Sequence, residues 1–324
     1  TMSVTNKNNS VTADFDYELN LFDQYYVEPY DYFTFKENGD GTVELTAFDK
    51  EKAPSTDIVI PATVSQNASG QWIEGNTYTV TDIFSATSRS NGVFYNSGIT
   101  SIELPATLET IGNYAFYQCS GLTGALDLSN CTSLTSIGEW AFYGCRGLTE
   151  LDLSNCARLA SIEIYAFQGC SGLKGALDLS NCTSLTNIER SAFYGCRGLK
   201  GALDLSNCTS LEAIGDYAFY DCSGLASITL PSSLISIGDS AFGGCTGLTG
   251  TLDLSNCTSL TSIGNYAFQN CSNLERIVFP NTTGWYATTS SSATSGDPMD
   301  MSDPAQNADW LTSTYVNYYF KRNA

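Results

Sequence analysis

Twelve cysteines are the side chains of this sequence best able to do chemistry, and their spacing divides them into two series. The first series follows a phenylalanine in the pattern Phe-x-x-Cys and comprises Cys119, Cys145, Cys170, Cys196, Cys222, Cys245 and Cys271. The second series ends the tripeptide Ser-Asn-Cys and comprises Cys131, Cys156, Cys182, Cys208 and Cys257. No Cys-x-x-Cys pair occurs, so the spacing typical of zinc and dithiol redox sites is absent. We predict that the cysteines are small buried hydrophobic side chains rather than disulfide partners.

Histidine is absent from the chain, which removes the commonest general base and every histidine-containing metal site. Paired carboxylates could still catalyse, because a glycosidase needs two acidic side chains roughly 5–9.5 Å apart in a pocket. The acidic residues here follow an open series of short strands with no sign of such a pocket. No Asp-x-Asp-x-Asp-Gly loop marks a dedicated calcium site either. We therefore predict a protein that is not an enzyme and that has no cofactor and no metal.

The charge balance excludes two classes of partner. The chain has 34 acidic and 14 basic residues, a formal net charge of −20. Such a charge repels phosphate backbones and anionic lipid, so neither nucleic acid nor a membrane surface is expected as a partner. No apolar run approaches 18 residues, and the first residues do not resemble a signal peptide. We expect any export signal or anchor to lie outside this chain.

A repeat of 22 to 26 residues positions these side chains. An isoleucine is followed after five residues by a phenylalanine and after three more by a first-series cysteine, seven times from Ile111 to Cys271. A degenerate earlier copy places Phe94 in the same column. Each period also contains an alternating triplet such as Ile-Glu-Leu or Leu-Asp-Leu, which is typical of a half-buried strand. One unit cannot bury its apolar side alone, but stacked units can. The repeats therefore predict a right-handed, β-rich solenoid with a parallel sheet on its concave side and short helical turns on the other.

The shortest unit, residues 222–245, reads CSGLASITLPSSLISIGDSAFGGC. It resembles the BspA-like leucine-rich repeats of bacterial surface proteins over roughly residues 57–280. The chain departs from that pattern where Leu-Asp-Leu is followed by Ser-Asn-Cys instead of proline. The resemblance implies a leucine-rich-repeat solenoid on an exported, surface-located protein that adheres to host matrix proteins or to other cells.

Terminal repeats need caps, because a stack otherwise ends on an apolar face. Two alternating runs around Gly39-Asp40-Gly41 predict an N-terminal hairpin cap at 34–56, after a polar and aromatic segment at 1–33. The solenoid is expected at 57–280. In the remaining part, 281–324, the Ser/Thr-rich composition of 282–308 indicates a long loop, and the run YVNYYF at 315–320 predicts a final strand that closes the stack.

The central residue of each triplet should point away from the core, on the concave face. These residues are Glu103, Asp127, Asp152, Asp178, Asp204, Thr229, Asp253 and Val278. Carboxylates stacked about 4.8 Å apart repel each other by roughly 1 kcal/mol per pair in water. One interpretation is a ligand-binding face for calcium or a basic partner. The other is that each aspartate accepts local hydrogen bonds from serine hydroxyls and backbone N–H groups.

A stripe of aromatic residues precedes the Ala-Phe pairs and comprises Tyr114, Trp140, Tyr165, Tyr217 and Tyr266. A second set follows the pairs and comprises Tyr117, Tyr143, Tyr194 and Tyr220. Rings in such stripes suit glycans or proteins, but they also stack one repeat on the next.

Two functions remain open at this point. The first is a monomeric, non-enzymatic adhesion or interaction protein of the extracellular bacterial cell surface, which binds a host or cell-surface protein through its solenoid face. The alternative is a glycan-binding or glycan-processing accessory protein of that surface, which uses the aromatic stripe and the acidic residues. The identity of the partner does not follow from the repeat, because the exposed face of a solenoid varies freely on a constant core.

Overall fold

The computed structural model describes residues 4–6, 9–13, 30–67 and 70–322, and it has the predicted β-rich solenoid fold. Most of the expected polar and aromatic segment at 1–33 lies outside the described residues. Within that segment, β1 (Val4–Asn6) pairs antiparallel with β2 (Asn9–Ala13).

The hairpin cap is confirmed. β3 (Phe33–Glu37) and β4 (Thr42–Phe48) are antiparallel and enclose the turn at Gly39-Asp40-Gly41. The Asp40 carboxylate accepts hydrogen bonds from the Thr42 N–H at 3.0 Å and from the Thr42 hydroxyl at 2.6 Å, which fixes this turn. Four strands lead into the repeats: β5 (Asp57–Val59), β6 (Thr63–Gln66), β7 (Trp72–Glu74) and β8 (Tyr78–Ile83).

Every repeat except the one around Gly175 contributes short strands at two places, whereas the sequence indicated only one. In chain order the strands are β9 (Ser101–Glu103), β10 (Thr110–Ile111), β11 (Gly124–Asp127), β12 (Ser136–Ile137), β13 (Leu148–Asp152), β14 (Ser161–Ile162), β15 (Asn187–Ile188), β16 (Gly201–Asp204), β17 (Ala213–Ile214), β18 (Leu225–Thr229), β19 (Ser236–Ile237), β20 (Gly250–Asp253), β21 (Ser262–Ile263) and β22 (Leu274–Val278).

The two-residue strands, here called ladder strands, form the sheet that runs unbroken through the stack. They are β10, β12, β14, β15, β17, β19 and β21. Each isoleucine lies opposite the isoleucine of the next repeat in a parallel pairing. All seven isoleucines are buried, so this sheet forms one wall of the core.

The strands that contain the predicted triplets, here called triplet strands, pair only two at a time. The pairs are β5 with β9, β11 with β13, β16 with β18, and β20 with β22. In the last three pairs, the first strand comes from a repeat with one inserted glycine (Gly124, Gly201 or Gly250), and the second comes from a repeat without it. These three glycines have left-handed backbones, with φ between 67° and 83°.

A fourth inserted glycine, Gly175, behaves differently. Its repeat is followed by a second repeat with an inserted glycine, and its φ is not left-handed. The segment around it forms no strand and keeps only an isolated bridge between Asp152 and Asp178. The triplet strands are therefore most open around Gly175.

The turn segments are the eight residues that end at each first-series cysteine, for example 112–119. They are series of turns closed by backbone hydrogen bonds three residues apart, such as Cys119 N–H to the Phe116 carbonyl at 3.1 Å. From Phe94 to Phe268 the phenylalanine rings stack with centroids 4.8–5.5 Å apart and planes within 10° of parallel. Each phenylalanine N–H donates to an alanine carbonyl of the next repeat, as from Phe193 to Ala218 at 2.8 Å. These contacts join every consecutive pair of turn segments.

The C-terminal part contains more regular structure than its Ser/Thr-rich composition indicated. The expected loop at 282–308 includes β23 (Trp285–Thr288), β24 (Asp297–Met299) and most of helix α1 (Pro304–Asp309). A π-helical turn (Trp310–Thr314) follows, and the capping strand is β25 (Tyr319–Arg322), a few residues later than expected. β25 pairs antiparallel with β21 on one side and with β23 on the other, so the C-terminal strand cap is confirmed.

Candidate binding surfaces

The aspartate column consists of the triplet centres that the sequence singled out. They are Glu103, Asp127, Asp152, Asp178, Asp204, Thr229 and Asp253. Their leucine and isoleucine neighbours turn into the core, while the column residues are exposed, except for the half-buried Asp152. Asp127 lies opposite Asp152 in the β11–β13 pair, and Asp152 bridges to Asp178. The structure thus brings three carboxylates of the column into direct register.

Local hydrogen bonds hold each aspartate of the column in the same way. The Oδ1 atom accepts from the backbone N–H of the serine two residues later, at 2.8–2.9 Å. The donors are Ser129, Ser154, Ser180, Ser206 and Ser255. The Ser129 hydroxyl also donates to Asp127 at 2.6 Å, and these two hydrogen bonds lower the pKa of the Asp127 carboxyl. The local bonding anticipated from the Leu-Asp-Leu-Ser pattern is present, and it uses only one oxygen of each carboxylate.

A groove of about 560 Å³ lies where the triplet strands open around Gly175. Its lining includes Asp127, Asp152, Asp178 and a fourth acid, Glu150. No lysine or arginine lines it, and none of these four carboxylates has an ion pair among the described residues. Because unpaired carboxylates repel each other, this groove favours a cationic occupant. The aspartate column continues beyond the groove, with Glu103 before it and Asp204, Thr229 and Asp253 after it.

The aromatic stripe is continuous over three repeats only. Tyr114 and Trp140 have ring centroids 6.2 Å apart, and Trp140 and Tyr165 have centroids 4.1 Å apart. Buried serines, Ser191 and Ser240, then occupy the column and separate Tyr217 and Tyr266 from the other rings of the stripe. All five aromatic residues are half-buried and have left-handed backbones, with φ from 57° to 62°. Stacking between repeats therefore uses part of the surface that the rings could offer to a ligand.

All twelve cysteines are buried free thiols. Each first-series thiol donates a hydrogen bond to the phenylalanine carbonyl of the preceding repeat, at 2.8–3.2 Å. The second series donates to carbonyls of the preceding triplet region at 3.3–3.8 Å. Cysteine thus supplies a small apolar side chain that also bonds a buried carbonyl. Burial raises the thiol pKa in both series, for example to about 11 at Cys131 and about 12 at Cys156.

A sequence model of the BspA type leucine-rich repeat region matches residues 87–212 and 186–293, in six copies. The matched residues make up more than half of the chain. The protein belongs to the BspA type leucine-rich repeat family.

Solved structures of bacterial proteins resemble this BspA type repeat chain. A T. pallidum leucine-rich repeat protein is 22% identical over 77% of this chain and 91% of its own, with a TM-score of 0.48. A leucine-rich cell surface protein of Faecalibacterium prausnitzii is 25% identical over 78% of this chain and 76% of its own, with a TM-score of 0.39. The pneumococcal vaccine antigen PcpA is 17% identical over 78% of this chain and 81% of its own, with a TM-score of 0.30. No curated protein matches the sequence.

The described part of this BspA type chain has neither a cluster of metal-binding side chains nor a membrane-spanning helix. No group of three histidine, cysteine, aspartate or glutamate side chains there is placed to hold a metal ion. No helix there is long and apolar enough to cross a membrane.

The groove around Gly175 that Asp127, Glu150, Asp152 and Asp178 line is here called the acidic groove. Two of its features were not predicted from the sequence. Glu150 precedes a triplet instead of occupying its centre, so the alternation placed it outside the column. The opening at Gly175 depends on two consecutive repeats that both have an inserted glycine, GLKGALDL at 172–179 and again at 198–205. The repeated insertion was visible in the sequence, but its effect on strand pairing was not.

Proposed function

We propose that this chain is a non-catalytic protein-binding scaffold of the bacterial cell surface, and that its acidic groove docks a basic segment of a partner protein. One observation carries the proposal: Asp127, Asp152, Asp178 and Glu150 line a single groove that contains no basic side chain. The family consists of interaction repeats, and the proposal assigns the interaction to one surface of this chain, the acidic groove. Its placement at the cell surface has the support of the family and of the F. prausnitzii protein, whose name describes a cell surface protein.

The fixed orientation of the aspartate carboxylates favours binding of a cationic partner. Each aspartate is fixed through Oδ1 by the serine N–H, so little side-chain freedom remains to be lost on binding. No hydrogen bond reaches Oδ2 of Asp127, Asp152 or Asp178 from the described residues, so one oxygen of each remains for a ligand. A lysine or arginine side chain would donate hydrogen bonds to these oxygens and remove the repulsion between neighbouring carboxylates.

The test removes charge and keeps the local bonds. The variant Asp127→Asn, Asp152→Asn, Asp178→Asn retains an Oδ1 acceptor for each serine N–H. The control Glu212→Gln, Glu275→Gln, Asp300→Asn removes three charges from exposed positions outside the groove. An oligolysine peptide serves as the probe, with fluorescence anisotropy as the readout and thermal unfolding as the check on the fold.

The wild type and the control should bind the peptide, and added salt should weaken both complexes because the attraction is electrostatic. The groove variant should lose affinity about tenfold or more, since one charge-assisted contact contributes about that much. Equal weakening of both variants would show attraction to net charge alone, and would refute docking at the groove. Glycan binding by the aromatic stripe would take place on the turn segments, so these aspartate variants should leave that binding intact.

A further inference from the structure

A second groove lies on the turn segments, where one sequence pattern occurs twice. Residues 143–147 and 194–198 both read Tyr-Gly-Cys-Arg-Gly, and the repeat between them reads Gln-Gly-Cys-Ser-Gly at 168–172. Three consecutive repeats thus have glycine at the same position, namely Gly144, Gly169 and Gly195. We call the surface around them the glycine groove.

The backbone does not require glycine at this position. Gly144, Gly169 and Gly195 have φ of 71°, 74° and 73°. Gly244 occupies this position in one later repeat, and in three others it is Gln118, Asp221 or Asn270, with φ of 57°, 59° and 63°. A Cβ atom on Gly169 would meet only the Gly144 Cα, at 3.9 Å, and one on Gly195 would meet nothing within 4 Å. The three glycines therefore leave open space that side chains fill elsewhere in the column.

Rigid aromatic pairs form the two walls of this space. Tyr143 stacks on Tyr117 with centroids 4.9 Å apart and planes 7° from parallel. Tyr194 stacks on Tyr220 with centroids 5.1 Å apart and planes 13° from parallel. Gln168 replaces the tyrosine in the repeat between them, and the result is a groove of about 530 Å³. Amide side chains of Gln118 and Asn96 also line the groove and can bond hydroxyl groups.

Each Tyr-Gly-Cys-Arg unit adds an exposed arginine to the lining, where other repeats have serine or threonine. Arg197 Nη2 lies 3.0 Å from Asp221 Oδ2. Arg146 has no ion-pair partner among the described residues, although acidic residues outnumber basic ones by 34 to 14 in the chain. The guanidinium group matches the geometry of a carboxylate and binds it through two parallel hydrogen bonds.

We propose that the glycine groove binds an acidic oligosaccharide, with sugar rings against the tyrosines and a sugar carboxylate on Arg146. Preformed aromatic faces with a few convergent polar groups are typical of small-ligand sites. The stiff walls and amide donors suit hydroxyl-rich rings better than an acidic peptide, whose exposed backbone would find no free strand edge at these turns. This site shares no lining residue with the acidic groove, so sugar binding here can be tested independently of protein binding at the acidic groove.

The test uses oligogalacturonate, hyaluronan oligosaccharides and a sialylated oligosaccharide as probes, with the methyl ester of oligogalacturonate as the uncharged match. An oligoglutamate peptide tests the peptide alternative. Arg146→Ser with Arg197→Ser copies the serines of neighbouring repeats, and Gly169→Asn copies the residue at Asn270. The control, Arg158→Ser with Arg276→Ser, removes two exposed arginines outside the groove. Calorimetry measures binding, and thermal unfolding confirms that each variant folds.

At least one acidic oligosaccharide should bind the wild type and the control, and the methyl ester should bind about tenfold or more weakly. Both groove variants should lose at least as much affinity while remaining folded. The double arginine variant removes the positive charge, and Gly169→Asn fills the open space of the groove. Binding of none of the acidic sugars, equal binding of the methyl ester, or unchanged binding by Gly169→Asn would overturn the proposal. Preference for oligoglutamate would assign the groove to acidic peptides instead.

Discussion

The turn segments and the triplet strands belong to the same repeats, yet they are joined along the stack in different ways. Every consecutive pair of turn segments shares a ring contact, a thiol hydrogen bond and a backbone hydrogen bond, as between Phe193 and Phe219. The triplet strands pair two at a time and open around Gly175. The difference follows from segment length. From isoleucine to cysteine the spacing never changes, whereas insertions change the length between cysteine and the next isoleucine.

Constant length therefore gives a continuous column, and variable length gives openings. The acidic groove lies where strand pairing fails. The glycine groove arises differently, because the backbone there is continuous and only the side chains have become smaller. A solenoid can thus create a binding surface by changing the backbone on its variable side, or by removing side-chain volume on its constant side.

Alkaline pH should have the largest effect on the stack. Burial raises the pKa of every cysteine above the ordinary value of 9.0, to about 11 at Cys208 and about 12 at Cys182. Above pH 9 the unfolded chain releases thiol protons that the folded chain retains, so the free energy of unfolding falls as pH rises from 9 to 12. All twelve thiols lower the free energy of unfolding in the same direction, and their combined effect opposes a total stability that is usually about 5–15 kcal/mol for a domain. We expect unfolding within this range, measured by circular dichroism and thiolate absorbance.

The two cysteine series should also differ from each other. Burial raises the pKa of five first-series thiols, such as Cys196, well above the ordinary value, and these thiols are buried more deeply than those of the second series, such as Cys131 and Cys156. Brief alkylation of the folded protein at pH 10, followed by mass spectrometry, should label the second series first. Equal labelling of both series would mean that the columns are equally accessible, contrary to the comparison.

The second largest effect is expected from Phe193→Ala. Its ring lies 5.3 Å from both Phe167 and Phe219, and the continuous column cannot collapse around a cavity. The cost should be about 3–5 kcal/mol, measured by denaturant unfolding. Leu177→Ala in the unpaired triplet should cost about 2 kcal/mol, because the open strands can relax. If the two variants lose the same stability, the triplet region is as rigid as the turn column.

The smallest effect concerns the inserted glycines. Gly201 has φ of 78°, so Gly201→Ala should destabilise the chain by about 1–2 kcal/mol although no atom blocks the new methyl group. Gly175→Ala is the matched control, because its backbone is not left-handed and the space around it is also open. It should be neutral or slightly stabilising, since alanine reduces the freedom of the unfolded chain. An equal loss in both variants, seen as equal shifts in Tm, would contradict the distinct conformation of the Gly175 repeat.

The phenylalanine column and the outward-facing triplet centres follow from the sequence, because fixed spacing and alternation determine which side chains are buried. The ladder strands do not, since two residues such as Ser136–Ile137 are too short for any alternation to show. β23 and β24 escaped for another reason: they lie in a Ser/Thr-rich stretch that indicated a loop, and they are strands because β23 pairs with the predicted C-terminal strand β25 and β24 pairs with β23.

The candidate sites were predictable only in part. Asp127, Asp152 and Asp178 could be placed in one column from their spacing, but Glu150 and the opening beside them depend on how two long repeats fit together. The repeated Tyr-Gly-Cys-Arg unit was visible in the sequence. Nothing in that pattern showed that Gln118 and Asp221 adopt the same backbone, which is what identifies the glycines as open space.

The direction of the outermost strands determines how one copy of the chain meets another. A bare parallel ladder would offer its last strand as a template for the first strand of a second copy, and such head-to-tail addition has no natural end. In this protein β25 runs antiparallel against β21, and β3 runs antiparallel against β4, so each end of the ladder is reversed before it meets solvent. We expect the caps to oppose such head-to-tail addition as well as to cover the apolar ends of the stack.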